Sequence, residues 1–324
     1  MEKRKIIAVV GATGAQGGGL VRAILNDSKG EFGVRAITRN PDSKKAMELE
    51  QLGATVVYAD LDDKVSVVKA FKGAYGAYCV TFFWEHFSPG KEMEHAKNMA
   101  EAAKEAGLKH VIWSTLEDTR KWVPLDDQRM PTLMEHYKVP HFDAKGASNV
   151  YFKESGVPYT LLLTSFYWEN FIYFGSGPAR GADGKWAITM PMGNKKLPGI
   201  AVGDIGKCAL NIFKAGTKYR NKTVGIAGEQ LTGEQMANAF SKLLDMEIGY
   251  KDVSADAYRK LDFPGAEDLG NMFQFKKEFE DYYCMARDVQ FTKELYPELM
   301  NFSTWLAKNK GLLESGIRGE AAMA

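Results

Sequence analysis

The 324-residue chain carries 42 lysines and arginines against 41 aspartates and glutamates, which leaves a formal net charge of +1. This balance, with no run of five or more like charges, gives no indication of direct nucleic-acid binding. A hydrophobic fraction of 45% and a charged fraction of 26% are ordinary for a globular protein. A chain of this length can form one large domain or two modest ones.

The cysteines, histidines and apolar runs exclude several further classes of protein. The three cysteines (Cys79, Cys208 and Cys284) are far apart, which argues against a disulfide framework or a cysteine-based metal site. The five histidines have no metal-ligand spacing, so we expect no metal. No stretch approaches the ~18 consecutive apolar residues of a membrane span, and the run after the basic N-terminus is too short for a signal peptide. We therefore expect no membrane association and a reducing compartment, the cytoplasm or alternatively the nucleus.

Short β-branched runs alternate with helical patterns throughout the first half of the chain. The predicted strands are Ile6–Val10, Val34–Thr38, Thr55–Tyr58, Ala77–Val80, His110–Ser114 and Tyr159–Leu163. The predicted helices are Gln16–Asn26, Ser43–Leu52, Lys64–Phe71, Lys91–Ala106 and Ala144–Ser155. Four helical segments are followed by a glycine at the position of a C-terminal cap: Gly53, Gly73, Gly107 and Gly156. Apolar strands interleaved with helices predict an α/β fold with a doubly wound parallel sheet.

The pattern changes after about residue 165. The composition of Ser165–Pro198 is typical of irregular hairpins. Val202–Lys214 is predicted to be a helix, and Thr223–Ala227 a strand that could extend the main sheet. Thr232-x-x-Gln235 is a capping-box pattern and predicts a helix start. We predict a main domain of residues 1–165 plus about 197–228, a smaller C-terminal α/β lid domain of 166–196 plus 229–312, and a flexible tail of 313–324. The segment 122–140 is a loop to which the sequence assigns no role.

A glycine-rich segment connects the first predicted strand to the first helix. It reads Gly11-Ala12-Thr13-Gly14-Ala15-Gln16-Gly17, and glycines there permit a tight turn, close approach to a pyrophosphate and close helix packing. The exposed N–H groups and the helix dipole would then face the phosphate charge. Because glycine-rich turns are common, the motif alone is weak, and a turn without a ligand is the alternative. At the first junction of a repeated strand–helix alternation, it favours a Rossmann-type dinucleotide site.

Arg39 indicates which dinucleotide is bound. Dinucleotide sites specific for NAD usually place an acidic residue at the end of the second strand, whereas this strand ends in Arg39-Asn40-Pro41. A guanidinium suits the 2′-phosphate of NADP(H), although a solvated loop arginine is the alternative. Asp60, after the third strand, lies at the usual height of the adenine amino group, but a loop-capping aspartate explains it nearly as well. We predict NADP(H) as the cofactor.

Three polar residues are candidates for proton transfer. Ser114 ends the fifth strand, and His141 and Lys145 are spaced one turn apart on one helix face. This set could shuttle protons during hydride transfer, while Lys145 could instead hold a ribose and His141 could be satisfied locally. Aromatic segments follow the fourth and sixth strands and would rim the ligand-binding edge, although core packing explains most of them. Among them we select Tyr167, Glu169 and Asn170 as pocket candidates.

These segments together resemble the NmrA-like family of atypical short-chain dehydrogenase/reductase proteins, and most closely its animal NADPH-sensor branch. The resemblance extends over roughly residues 4–310 and is carried by the glycine loop, Thr38–Pro41, Val80–Thr81 with Trp84–Glu85, His141–Gly146 and Phe263–Ala266. It implies a Rossmann fold with a small C-terminal domain, NADP(H) preference, and, in several members, a regulatory role. It also implies that Gly11, Thr13, Gly14, Ala15, Gln16 and Gly17 hold pyrophosphate and Arg39 the 2′-phosphate. Asp60 and Leu61 would flank adenine, Thr81 and Tyr167–Asn170 the nicotinamide, and Lys145 the ribose.

One departure divides the functional hypotheses. Active short-chain dehydrogenases use Tyr-x-x-x-Lys, whereas this chain has His141-x-x-x-Lys145. The missing tyrosine favours a redox-sensing regulator that acts through cofactor-dependent conformation or a protein partner. The alternative is an NADPH-dependent reductase of a small aromatic or conjugated substrate. The oligomeric state, a homodimer included, stays open at this point.

Overall fold

The computed structural model describes residues 4–317 of the chain. They divide into two compact units. The first comprises residues up to Thr119, Pro140–Thr164 and Gly203–Val224. The second comprises Arg120–Val139, Ser165–Val202 and residues from Gly225 onward.

The strands, numbered in chain order, are β1 (Lys5–Val9), β2 (Phe32–Thr38), β3 (Thr55–Tyr58), β4 (Gly76–Cys79), β5 (His110–Thr115), β6 (Tyr159–Leu163), β7 (Phe166–Tyr167), β8 (Ala179–Arg180), β9 (Trp186–Met190), β10 (Lys196–Ile200), β11 (Lys222–Gly225), β12 (Glu229–Thr232) and β13 (Ile248–Asp252). The helices are α1 (Ala15–Leu25), α2 (Lys44–Gln51), α3 (Lys64–Phe71), α4 (Pro89–Glu105), α5 (Pro140–Ala147), α6 (Asn149–Glu154), α7 (Asn170–Tyr173), α8 (Val202–Lys214), α9 (Gly233–Leu244), α10 (Ala255–Arg259), α11 (Ala266–Glu278), α12 (Glu280–Met285), α13 (Val289–Leu295), α14 (Phe302–Lys308) and α15 (Lys310–Ile317). Short 3-10 helices cover Phe83–Glu85 and Thr119–Lys121.

The first unit is built on a seven-stranded sheet in the order β11-β6-β5-β4-β1-β2-β3. All six predicted strands of the first half are present, and β1 to β6 pair in parallel. Strand β1 lies between β2 and β4, with Val9 opposite Ala36 and Tyr78. The prediction of a doubly wound Rossmann-type parallel sheet is confirmed.

Apolar packing and helix caps define the helices of the first unit. A buried cluster on the sheet includes Val67, Phe71, Met99, Trp113 and Phe152. The four predicted cap glycines, at positions 53, 73, 107 and 156, all have positive φ, which glycine adopts without the steric cost of a Cβ. The predicted helix over 144–155 is instead two helices, α5 and α6, that meet at Ser148.

The second unit contains two small three-stranded sheets, β12-β10-β7 and β13-β9-β8. The predicted capping box is present at the start of α9, where Thr232 and Gln235 exchange backbone and side-chain hydrogen bonds. The unit has an aromatic core in which the rings of Phe302 and Trp305 are stacked and Phe302 lies 5.4 Å from Trp168. Trp168, from the aromatic segment that follows the sixth strand, belongs to this core, in line with the alternative of core packing.

The segment 122–140 is held by side-chain hydrogen bonds, and the start of the predicted C-terminal tail is helical. Lys138 is buried and donates hydrogen bonds of 2.7 Å to the carbonyls of Asp127 and Met130, while Asn271 of α11 donates to the carbonyls of Pro131 and Lys138. These bonds fix the segment within the second unit. Residues 313–317, expected in a flexible tail, are helical as part of α15, and residues 318–324 lie outside the described part of the chain.

Candidate functional site

The glycine loop leaves β1 and enters α1 with very little space between them. Gly11 has a φ of +63°, which favours glycine. A Cβ at Gly17 would lie 2.3 Å from the carbonyl oxygen of Gly11 and 2.9 Å from that of Val10. Position 17 therefore excludes every side chain, because α1 packs directly against the backbone of the loop.

The N-terminus of α1 is suited to an anion. Its N-cap residue is Gly14, which makes no side-chain cap, and its first turn contains no acidic residue. Ala15 and Gln16 begin the helix, and Thr13 precedes the cap in the same loop. The helix dipole and the first-turn N–H groups favour a phosphate group at such an end.

Arg39 lies just beyond the end of β2, as predicted, and it is already paired. Its guanidinium forms a close ion pair with the carboxylate of Glu85, at the end of the 3-10 helix that follows β4. The side chains are 55% and 44% exposed, so the pair lies at the surface. The hydrogen bond with Glu85 is the main cause that raises the pKa of Arg39, and the more distant Asp60 and Asp62 add to it.

Asp60 and Leu61, predicted to flank adenine, lie in the turn between β3 and α3. The Asp60 carboxylate accepts a hydrogen bond of 3.0 Å from the backbone N–H of Asp62, and its own N–H donates to Ser66 Oγ at 2.9 Å. The Leu61 carbonyl accepts a bond from Asn98 at 2.8 Å. Asp60 thus has the turn-capping role that was considered beside the adenine contact.

Lys145 and Thr81, predicted on the nicotinamide side, are brought together with a buried carboxylate. Lys145 Nζ lies 2.7 Å from Oε1 of Glu92 and donates to the hydroxyl of Thr81 at 2.6 Å. The Thr81 hydroxyl in turn donates a short hydrogen bond to Glu92. His86 Nε2 lies 3.5 Å from the other Glu92 oxygen, and the ammonium lies 5.3 Å from the ring centre of Trp113. Lys145 is therefore anchored at the end of β4.

Glu92 is fully buried in the first turn of α4 and is nonetheless strongly acidic. Burial by itself raises the pKa of a carboxyl group, because the charged form loses its hydration. The charge of Lys145 outweighs that effect, helped by hydrogen bonds from Lys145 and Thr81 and by the nearby imidazole of His86, and brings the pKa of Glu92 from 4.5 to about 2. The site therefore holds a buried ion pair rather than a lone ammonium.

Ser114 and Gln16, which were predicted for different roles, contact each other. Ser114 Oγ donates to Oε1 of Gln16 at 2.8 Å, and the same oxygen accepts a short hydrogen bond from the hydroxyl of Tyr78. The side chain of Gln16 thus joins the ends of β4 and β5 to the start of α1. Sequence reasoning did not identify Tyr78, because it reads as an ordinary aromatic strand residue.

His141 occupies the position of the tyrosine in active short-chain dehydrogenases, but its ring is enclosed. It is 6% exposed, and ring centres of Trp84 and Phe142 both lie 4.8 Å from its own. The ring centre of Phe83 lies 6.0 Å away. The segment after β4 therefore covers the imidazole.

Tyr167, Glu169 and Asn170 belong to the second unit. Both oxygens of the Glu169 carboxylate accept hydrogen bonds of 3.0 Å, one from the backbone of Val202 and one from the indole N–H of Trp305. Tyr167 is the last residue of β7 and pairs with Ile200, and Asn170 begins α7. Glu169 thus has a local structural role in this unit.

Two residues that matter for the site were not predicted to do so, Glu85 and Glu92. Glu85 was noted as part of the family pattern, and Glu92 is one of several charged residues in a helix with an ordinary polar composition. A glutamate in the first turn of a helix, as Glu92 is in α4, is favoured by the helix dipole in any case. Only the fold reveals their partners.

Among residues 4–317, no group of three or more histidines, cysteines, aspartates or glutamates could hold a metal ion. In the same part of the chain, none of the helices has the length and apolar character needed to cross a membrane.

The profile of the NmrA-like family matches residues 3–306, nearly the whole chain. The chain belongs to the NmrA-like family. Its membership agrees with the resemblance found in the glycine loop and the His141–Lys145 helix, and it accounts for the Rossmann-type sheet.

Known members and solved structures include both regulators and oxidoreductases. The NmrA-like family domain-containing oxidoreductase ptmS of Penicillium ochrochloron is 28% identical over 91% of this chain and 90% of its own. The negative transcriptional regulator NmrA, solved in complex with NADP, superposes with a TM-score of 0.78 at 22% identity, over 97% of this chain and 98% of its own. The triphenylmethane reductase of Citrobacter sp., solved with NADP(H), has a TM-score of 0.72 at 19% identity, over 94% and 99%. The fold is thus shared across both kinds of protein.

Proposed function

We propose that this NmrA-like protein is an NADP(H)-binding regulator that senses the cofactor through conformation or partner binding. The observation that carries the proposal is the surroundings of His141 and Lys145, two of the three proton-transfer candidates. His141 stands where the tyrosine is expected and its ring packs against that of Trp84, and Lys145 forms an ion pair with Glu92. The protein thus has a cofactor site in which both the imidazole and the ammonium group already contact other side chains of the protein.

The residues of the first unit fit NADP(H). The glycine loop and the uncapped start of α1 would hold the pyrophosphate, Arg39 the 2′-phosphate, and Lys145 with Thr81 the ribose next to the nicotinamide. When bound there, the reduced form, NADPH, would supply a hydride. The NmrA complexes with NAD and with NADP, and the NADP(H) complex of the reductase, support this assignment.

A cofactor titration tests the regulatory role. Sedimentation velocity of the full chain, at increasing NADPH and separately at increasing NADP⁺, should show a shift in oligomeric state, or a pull-down should show a change in bound partner. An unchanged sedimentation profile and unchanged partner binding at saturating NADPH would contradict sensing.

Replacement of Arg39 tests the cofactor assignment. Arg39→Ala should weaken NADPH binding by about 1.5–3 kcal/mol, because a charge-assisted contact to the 2′-phosphate is lost. The variant also leaves the Glu85 carboxylate without its cation, close to the incoming phosphate. NADH, which lacks the phosphate, should bind almost as before. Fluorescence titration with both cofactors measures the difference.

The matched control is Lys64→Ala, which breaks an ion pair of similar exposure with Glu101 elsewhere in the first unit. It should change neither affinity. An equal loss of NADPH and NADH affinity in Arg39→Ala would refute the role given to Arg39.

A reductase is the second candidate function, favoured by one observation. Lys145 is held with its ammonium at the end of β4, beside the Thr81 hydroxyl, where a substrate next to the nicotinamide could be protonated. Relatives named as oxidoreductases are consistent with this alternative. The substrate would be a small aromatic or conjugated molecule.

A screen of quinones, conjugated ketones and triarylmethane dyes, followed by NADPH absorbance, tests turnover. Lys145→Ala alone would bury Glu92 without its cation, so the double variant Lys145→Met/Glu92→Gln is the cleaner test. If a substrate is found, its turnover should fall about 100-fold in the double variant and persist in Lys64→Ala. Turnover that survives in the double variant would exclude Lys145 as the proton donor. Turnover that is lost with Lys145 would instead contradict the proposal of a sensor without catalytic activity.

A further inference from the structure

The ion pair between Arg39 and Glu85 joins two segments that flank the glycine loop. Arg39 follows β2, and Glu85 follows β4, 46 residues later in the chain. In the sheet, β1 lies between these two strands. Since β1 leads directly into the glycine loop, the ion pair bridges the carboxyl edge of the sheet on either side of that loop.

This position is where a dinucleotide must lie. In Rossmann-type sheets the cofactor crosses the carboxyl edge at the first strand, with its adenosine toward the second strand. Arg39 is the cation on the adenosine side, and Glu85 is the anion that meets it across β1. The carboxylate thus takes a guanidinium N–H, that of Nη2, which a phosphate on the same side chain could otherwise use.

We propose that Glu85 is a specificity-determining residue, an internal anion that occupies Arg39 until the 2′-phosphate of NADP(H) displaces it. The inference rests on the proposed function in one respect, the role of Arg39. NADP(H) has to exchange one anion for another at Arg39, whereas NAD(H) has no 2′-phosphate and leaves the pair intact. Glu85 therefore lowers the affinity for NADP(H) but not that for NAD(H). The difference between the two affinities becomes smaller as a result.

Exchanging the Glu85 carboxylate for a phosphate on Arg39, or the reverse, costs little free energy. Glu85 is 44% exposed, so a released carboxylate is rehydrated, and a surface ion pair of this kind contributes little to stability. A 2′-phosphate carries more charge than a carboxylate and offers three acceptor oxygens to the guanidinium. The phosphate therefore displaces the carboxylate from Arg39, but NADP(H) binds less tightly than it would to an arginine with no bound carboxylate.

Glu85 also connects Arg39 to the rings that cover His141. Its 3-10 helix contains Phe83 and Trp84, and Trp84 lies 4.8 Å from His141. Occupation of Arg39 by phosphate thus releases one of the contacts that hold this segment in place. NAD(H) would leave that contact unchanged, which is the distinction that a sensor of NADP(H) needs.

The test is Glu85→Gln, which keeps the size of the side chain and removes its charge. NADPH should bind about two- to fivefold more tightly, the range expected from the loss of one competing exposed ion pair, and NADH affinity should stay the same. Titration of cofactor fluorescence at low and high salt measures both, and the gain should shrink at high salt because the competing pair is screened.

Glu101→Gln is the matched control, since Glu101 pairs with Lys64 at 2.9 Å and is 43% exposed. It should leave both affinities unchanged. An unchanged NADPH-to-NADH ratio in Glu85→Gln, or an equal gain for both cofactors, would overturn the proposal.

A double variant separates this proposal from the assignment of Arg39. In the Arg39→Ala background, Glu85 has no guanidinium to occupy, so Glu85→Gln should relieve only its charge repulsion with the phosphate. The gain in NADPH affinity relative to NADH affinity should then fall below twofold. If Arg39→Ala weakens NADPH selectively while Glu85→Gln has no selective effect, only the role of Glu85 fails. If Arg39→Ala weakens both cofactors equally, the cofactor assignment fails as well.

Discussion

Glu92→Gln is expected to lower the free energy of unfolding by about 3 kcal/mol, since it leaves a buried ammonium without its counter-charge. Lys145 is only 12% exposed, and Glu92 is its carboxylate partner at 2.7 Å. The remaining hydrogen bonds to Thr81 cannot replace that charge. Urea unfolding followed by far-ultraviolet circular dichroism measures the loss.

The double variant Glu92→Gln/Lys145→Met distinguishes an ion pair from simple packing. It removes both charges and should recover much of the stability, because neither buried group is then left unpaired. Glu101→Gln, at an exposed pair, should change stability by less than about 1 kcal/mol. A double variant as unstable as Glu92→Gln alone would contradict the account of this pair.

The same pair predicts how stability depends on pH. The pKa of Glu92 is held at about 2, below its ordinary 4.5, so its contribution is complete above pH 4.5 and is lost as pH falls toward 2. That contribution corresponds to about 3 kcal/mol. The stability difference between the wild type and Glu92→Gln should therefore shrink from pH 6 to pH 2. A difference that grows on acidification would show that Glu92 is not ionised in the folded protein.

The fold was predictable because its signals are local. The strands of the first half, the four cap glycines and the capping box at Thr232 depend on neighbouring residues and on the periodicity of short segments. The glycine loop was equally legible, because Gly17 is fixed by the packing of one helix on the strand that precedes it. The break between α5 and α6 was missed, since the residues at Ser148 have ordinary helical composition.

The contacts in the site were not predictable, because each joins segments that are distant in sequence. Thr81 and Lys145 are 64 residues apart, and Arg39 and Glu85 are 46 apart. Sequence reasoning placed Arg39 at the end of the second strand and Lys145 on a helix, where the structure has them, but treated both as cations awaiting a ligand. The fold supplies each with a carboxylate, and which of several glutamates it would be depends on the register of neighbouring strands.

Gly17→Ala is expected to weaken NADPH and NADH alike, by about 3 kcal/mol or about 100-fold, and this is the largest effect on affinity that we predict. Its Cβ would lie 2.3 Å from the Gly11 carbonyl oxygen, which is backbone and cannot rotate away. The start of α1 must therefore move from the loop, and the N–H groups that face the pyrophosphate move with it. Overpacking of this kind should also destabilise the fold by about 1–3 kcal/mol.

The control for this variant is Gly203→Ala in α8, where a new Cβ would meet no atom within 4 Å. It should leave both affinities unchanged and stabilise the helix by about 0.5–1 kcal/mol, because alanine loses less backbone entropy than glycine. The equal loss of both cofactors in Gly17→Ala contrasts with the selective loss in Arg39→Ala, because the pyrophosphate is common to both and the 2′-phosphate is not. Unchanged NADPH binding in a folded Gly17→Ala protein would show that the loop does not hold the pyrophosphate, and the assignment of the cofactor site would then fail.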